Sequence, residues 1–336
     1  MERTGLRVLY IGGSGEISAA CVIAAASAGH QVSVFNRGHS SGVLPAGVEQ
    51  IVGERNDSRA VHALAARNFD VVCQFLTFEA DEAAMDIGAF AGHCRQFIFI
   101  STASVYQKPI TTLPITEASP VGNIFSQYSQ RKLDCEQLYR AAHDAGRVPV
   151  TIVRPSHTYR QRLPSTVITG DHLAWRLRSG KPVPVHGDGQ SAWTLTHASD
   201  FARAFVALCG NDRALGQTIN LTGNLAYSWN HILGTVAHVI GVVPDIRPIL
   251  SRTIEAAFPA MVANLSGDKA NSLIFDTQRL HSLVPGWQCE VALDAGIRLA
   301  WGMTATRLAN GFQPDPLLDA KIDALIQQAR NESGSR

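Results

Sequence analysis

The chain has 336 residues, 46% hydrophobic and 17% charged, which is enough to bury a large core and too apolar for a disordered chain. Its 29 Lys and Arg against 28 Asp and Glu leave a net charge of +1, so no strong field draws nucleic acid or an anionic membrane. No apolar run reaches the roughly 20 residues of a membrane span, Gly12, Gly13 and Gly15 break the N-terminal apolar stretch as no signal peptide would allow, and six scattered cysteines without a CxxC point to reduced thiols in a cytoplasm.

In chain order, the first half alternates short β-branched runs with Ala- and Leu-rich stretches. Strands are expected at Arg7–Gly12, Gln31–Asn36, Glu49–Val52, Asp70–Phe75, Gln96–Ser101 and Val148–Val153, with helices at Ile17–Ala28, Ser58–Ala66, Ala80–Phe90 and Gln127–Ala145. Near-continuous apolar strands separated by helices predict a parallel sheet covered on both faces, a doubly wound α/β fold of Rossmann type. After Arg154-Pro155 the rhythm breaks into a segment rich in Arg, Pro and Gly. Helices are expected at Ser199–Cys209, Trp229–Ile240, Val291–Trp301 and Asp319–Gln328, and the polar tail from Asn331 is expected to fray. The division is a dinucleotide-binding domain over residues 1–155 and a smaller α/β substrate lobe over 156–330, with the helix near 199–209 packing back on the first.

Three features carry chemistry. The first strand runs into Gly12-Gly13-Ser14-Gly15-Glu16-Ile17 and then a helix, a turn whose backbone N–H groups can approach a pyrophosphate. The second strand ends at Asn36-Arg37, a neutral amide and a cation where a carboxylate would hold a ribose 2′-hydroxyl. That pair favours NADP, with NAD as the alternative. Tyr128 and Lys132 stand four apart on a helix, so phenol and ammonium share one face. They follow a strand end rich in hydroxyls, Ser101-Thr102-Ala103-Ser104.

These residues resemble the extended short-chain dehydrogenase/reductase superfamily, the branch of nucleotide-sugar epimerases and dehydratases. Thr116-Glu117, Arg154-Pro155 and Gly187-Asp188-Gly189 extend the likeness over nearly the whole chain. The resemblance implies that Tyr128 is the acid/base, that Lys132 lowers its pKa and binds the nicotinamide ribose, and that Thr102 holds the reacting oxygen. It makes Glu54 the carboxylate that contacts adenine, with Arg55 beside it in the cofactor set. It also implies a homodimer packed through the helices of Ala80–Phe90 and Tyr128–Ala145.

The departures from the family are as informative. Where its dehydratases carry an Asp-Glu pair after the catalytic Thr, this chain has Ala103-Ser104, so dehydration by that route is not expected. Trp193 stands where a diphosphate-gripping Arg is usual, and a second such Arg has no counterpart in Asn264-Leu265-Ser266 before Gly267-Asp268. Two missing contacts of about 1.5–3 kcal/mol each would weaken a diphosphate greatly. Trp193 either stacks on a sugar or base or fills the core between lobes. His157, in place of the family's Asn, either contacts substrate or is a structural histidine, and Ser104 completes the substrate set. The twelve histidines show no metal-ligand spacing, so no metal is expected. The expected activity is hydride transfer at a secondary alcohol of a sugar-like substrate, with epimerisation ahead of NADPH-dependent ketoreduction. The rival of another class is a catalytically silent RNA-binding or scaffolding relative.

Overall fold

Strands that are apolar on both faces need helices above and below them, and the first half of the chain supplies both. The structure, a computed structural model, describes residues 5–39, 44–168 and 170–334. It places β1 at Arg7–Ile11, α1 at Ser18–Ser27, β2 at Gln31–Asn36 and β3 at Glu49–Val52. Then come α2 (Ser58–Ala65), β4 (Phe69–Gln74), α3 (Ala80–Phe90), β5 (Cys94–Ile100), α4 (Gln127–Asp144) and β6 (Val150–Pro155). Three of the helices start where polar caps stop competing with the backbone. Asp57 accepts from Arg59 N and Ala60 N, Glu79 and Glu82 form a reciprocal capping box, and Ser126 accepts from Ser129 N.

The second half holds more strands than its composition suggests: β7 (His157–Tyr159), β8 (Val183–His186), β9 (Ala192–His197), β10 (Thr218–Leu221), β11 (Ala226–Ser228) and β12 (Ile246–Ile249). Its helices are α5 (Gly170–Arg178), α6 (Ala198–Leu208), α7 (Trp229–Ile240), α8 (Ser251–Ala257), α9 (Gln278–Leu283), α10 (Leu293–Ala309) and α11 (Pro316–Gly334). Helix α11 carries residues 331–334 inside it rather than fraying there; 335–336 lie outside the described residues.

The main sheet has seven parallel strands in the order β10-β6-β5-β4-β1-β2-β3. Side chains alternate between its faces with the strand period of two. Val8 and Tyr10 pack with α1 and α6, whereas Leu9 and Ile11 share a cluster with residues of α2, α3 and α4. Helix α6 lies against α1, and β10 pairs with β6, so residues beyond 156 complete this sheet. The remaining strands form a three-stranded sheet, β11-β9-β7, and a two-stranded one, β12-β8. Their core is centred on Trp193, Trp229, Ile232 and Ile297, and α11 is tied on by Arg176 and Lys181 through Asp319 and Asp323. All six cysteines are free thiols, and no described helix is long and apolar enough to cross a membrane.

Candidate active site

The carboxyl ends of β1, β2, β4 and β5 open onto a cleft of about 840 Å³. At its floor, Gly12 (φ +117°) and Gly13 (φ +102°) hold backbone angles that side chains rarely adopt. A Cβ on Gly13 would come within 2.6 Å of Val34 Cγ1. Helix α1 starts directly behind this turn, and no side chain caps it. Uncapped N–H groups beside a cradle that excludes Cβ atoms suit a pyrophosphate, so the residues fit a dinucleotide.

Ser14, Gly15, Ile17, Asn36, Arg37 and Glu54 border the same cleft. Asn36 Oδ1 accepts from Gly38 N (2.8 Å) and Gln50 Nε2 (3.0 Å), which fixes the corner before Arg37. Two expected cofactor residues are committed elsewhere in part. Glu16 borders the cleft while its carboxylate accepts from Gln161 N (2.9 Å), tying the glycine turn to the second lobe. Arg55 is buried and paired with Asp86 at 2.8 Å.

That pair belongs to a network that fixes Lys132. Asp86 Oδ2 accepts from Arg55, Gln74, Thr77 (2.7 Å) and Tyr139 (2.6 Å), while burial raises its pKa against these donors. Thr77, held this way, presents its carbonyl to Lys132 Nζ at 2.8 Å, and Ile100 O accepts from the same ammonium at 2.6 Å. The ammonium also lies over the rings of Phe78 and Phe99. Burial pushes Lys132 down to about 8.

Tyr128 opens 45% of its surface, and it borders the cleft beside Lys132. Burial raises its pKa; a hydrogen bond with the Thr102 side chain works against the rise and the charge of Asp268 adds to it. At neutral pH the phenol is therefore protonated. Thr102 closes β5 and caps the short turn Ala103–Val105, its Oγ1 accepting from Ser104 N at 3.1 Å. The same hydroxyl also hydrogen-bonds with the Tyr128 phenol, so the two groups stand together on the cleft wall.

A second, smaller space of about 130 Å³ opens beside the cleft, and Thr102, Pro155 and Ser156 border both. Ser104, His157 and Trp193 line it, and Asp268 and Lys269 join them. Ser104 Oγ lies 2.7 Å from Ser129 Oγ, which donates on to Ser126 Oγ at 2.9 Å. Trp193 is only 2% exposed, packs on Trp229 and donates from Nε1 to His157 Nδ1 at 3.1 Å. Of its two possible roles, the core role is the one the packing shows. The same bond puts the proton of the neutral imidazole on Nε2, and burial lowers His157 to about 3. Among the described residues no group of three His, Cys, Asp or Glu could hold a metal ion.

A family model described as NAD dependent epimerase/dehydratase family matches residues 8–222. The chain belongs to this family. Similar to this epimerase/dehydratase family member is 2'-dehydrokanamycin reductase of Streptomyces kanamyceticus, 31% identical over 294 residues, 85% of this chain and 81% of that protein. Another relative is the chloroplast stem-loop binding protein of 41 kDa b from Arabidopsis thaliana, 29% identical over 231 residues, 65% of this chain and 58% of that one. Among solved structures, a UDP-glucose-4-epimerase from Stenotrophomonas maltophila with bound NAD aligns with a TM-score of 0.75 at 18% identity, covering 91% of this chain and 100% of its own.

Several residues that mark the epimerase/dehydratase family here build the frame. Arg154 pairs with Glu136 through two contacts, Tyr106 OH donates to Asn220 Oδ1 at 2.7 Å, and Glu117 accepts from Asn220 N at 2.9 Å. Sequence reading missed Thr77, Asp86, Asp268 and Lys269. Gly267-Asp268 was visible as a dipeptide, but only as the landmark for a missing Arg; no spacing ties it to Thr102.

Proposed function

We propose that the protein is a nicotinamide-dependent oxidoreductase that reduces a ketone on a sugar-like ring to a secondary alcohol. The observation that carries this reading is the placing of Tyr128, Thr102 and Lys132 on one wall of the cleft, with the Thr102 hydroxyl hydrogen-bonded to the Tyr128 phenol. A phenol that still holds its proton suits a carbonyl, to which it can donate, whereas an alcohol would need the phenolate first. When bound, the nicotinamide supplies the hydride. Tyr128 gives its proton to the oxygen as negative charge develops there, and Thr102 holds that oxygen. Lys132, oriented by Thr77 and Ile100, would bind the nicotinamide ribose, and the Gly12–Gly15 turn the pyrophosphate.

The similarity to 2'-dehydrokanamycin reductase supports reduction ahead of epimerisation. So does Trp193, an indole packed in the core where an Arg would grip a diphosphate. Arg37 at the cleft border supports NADPH, because its guanidinium can pair with the 2′-phosphate. The likeness to a stem-loop binding protein raises the rival of a silent nucleic-acid binder. Retention of Tyr128 and Lys132 and a net charge of only +1 weigh against it. The homodimer would form through α3 and α4, and light scattering tests it.

Purified protein assayed with NADPH and a panel of oxo-sugars is expected to oxidise the cofactor and release it freely. Tightly retained NAD with no net cofactor turnover would instead support the epimerase.

A further inference from the structure

The small space beside Tyr128 is rich in donors and short of acceptors. His157 carries a neutral ring protonated on Nε2, and Lys269 brings an ammonium to the wall. Ser156 Oγ is spent on Thr194 O. The one carboxylate in the wall is Asp268. Lys108, 3% exposed, lies behind it with an Nζ that has no hydrogen-bond partner, and neither Lys108 nor Lys269 forms an ion pair with a described residue. Glu255 on α8 is turned onto Ser266 instead. His157 and His186 stay neutral at physiological pH. One buried ammonium, Lys108, and one half-buried ammonium, Lys269, therefore stand near one carboxylate, and one positive charge lacks a partner.

Buried charge is costly unless it is paired. We propose that this recess takes an anionic substituent of the substrate, a carboxylate or a group of similar size, with Lys269 donating to it and Lys108 adding long-range attraction. The proposal rests on the reductase reading of the same site and names the class of sugar that the site selects. A volume of about 130 Å³ admits such a group beside the ring and leaves no room for a nucleotide. Asp268 then accepts from a neighbouring hydroxyl of the same ring.

The test titrates the NADP⁺-loaded protein with methyl β-D-glucuronide, methyl β-D-glucoside and methyl β-D-glucosaminide, following tryptophan fluorescence, which Trp193 couples to the recess. The glucuronide is expected to bind at least about tenfold tighter than either other sugar, the ratio one charge-assisted contact supports. Lys269→Met should erase that preference, and Asp268→Asn should widen it by removing the competing negative charge. Equal affinities, tighter binding of the glucosaminide, no saturable binding of the glucuronide, or a preference that survives in Lys269→Met would each overturn the proposal. Tyr128→Phe separates the two readings. It should leave the glucuronide preference in place while turnover falls, so that turnover surviving in this variant defeats the reductase reading and a missing preference defeats only the anionic recess.

Discussion

The large cleft and the small recess share Thr102, Pro155 and Ser156, yet they are built in different ways. The cleft is a backbone device. Its shape comes from glycines at positive φ and a helix start without a side-chain cap, close together in sequence, and from the ends of parallel strands beside them. The recess is a side-chain device, assembled from residues near 102–104, 156–157, 193 and 268–269 that meet only after both lobes have folded. Backbone cradles tolerate few substitutions and serve one ligand, whereas side-chain walls can change ligand class without changing the fold.

Where the two regions meet, Tyr128→Phe should have the largest effect. Loss of the proton donor lowers turnover at least about a hundredfold, while circular dichroism and cofactor affinity stay unchanged. Near-normal turnover would remove Tyr128 from the mechanism.

Cofactor choice tests the cleft alone. Asn36→Asp together with Arg37→Ala replaces a cation by a carboxylate at the corner that Gly38 and Gln50 hold. The wild type is expected to bind NADPH about ten- to a hundredfold tighter than NADH, and the double variant to reverse that order in paired titrations.

Gly13→Ala asks whether the cradle is as strict as its geometry. At φ +102°, with Val34 Cγ1 at 2.6 Å from the new Cβ, the change should cost about 1–3 kcal/mol in a urea melt and weaken both cofactors alike. A variant of unchanged stability and affinity would show that the turn relaxes freely.

The legibility of the two regions follows the same division. The central strands could be read because a strand buried on both faces is apolar at nearly every position, as in Val8–Ile11 and Phe97–Ile100. The seventh, Thr218–Leu221, could not: four residues with Thr and Asn give no period to count, and its partner β6 lies some sixty residues earlier. Tyr128, Lys132 and Thr102 could be found because helix spacing and a strand end place them. Asp268 and Lys269 sit on a short π-helical turn that shares the recess with Thr102 only through tertiary folding. Trp193 was visible, but its role was open until its ring was seen packed on Trp229.

The smallest expected effects concern pH, and the recess carries two groups of opposite sign. His157 falls from 6.5 to about 3 when folded, so its share of stability is present above 6.5 and lost as pH drops toward 3. Asp268 rises from 3.8 to about 6, chiefly by burial, so its share is present below 3.8 and lost as pH rises through 6. Urea melts from pH 3 to 8 should show His157→Asn flattening the acid side and Asp268→Asn gaining stability above pH 6. Parallel curves for both variants and the wild type would mean that neither group is buried as described.

Whether Tyr128 and Thr102 serve a single carbonyl reduction is decided by isotope transfer. NADPH carrying deuterium at C4 of the nicotinamide would be incubated with the protein and an oxo-sugar, and the product examined by mass spectrometry and NMR. With both C4 hydrogens of the cofactor replaced by deuterium, one deuterium is expected at the new carbinol carbon per cofactor oxidised, with the rate cut at least about a hundredfold in Tyr128→Phe. Product without deuterium, or undiminished transfer in Tyr128→Phe, would contradict such a reduction.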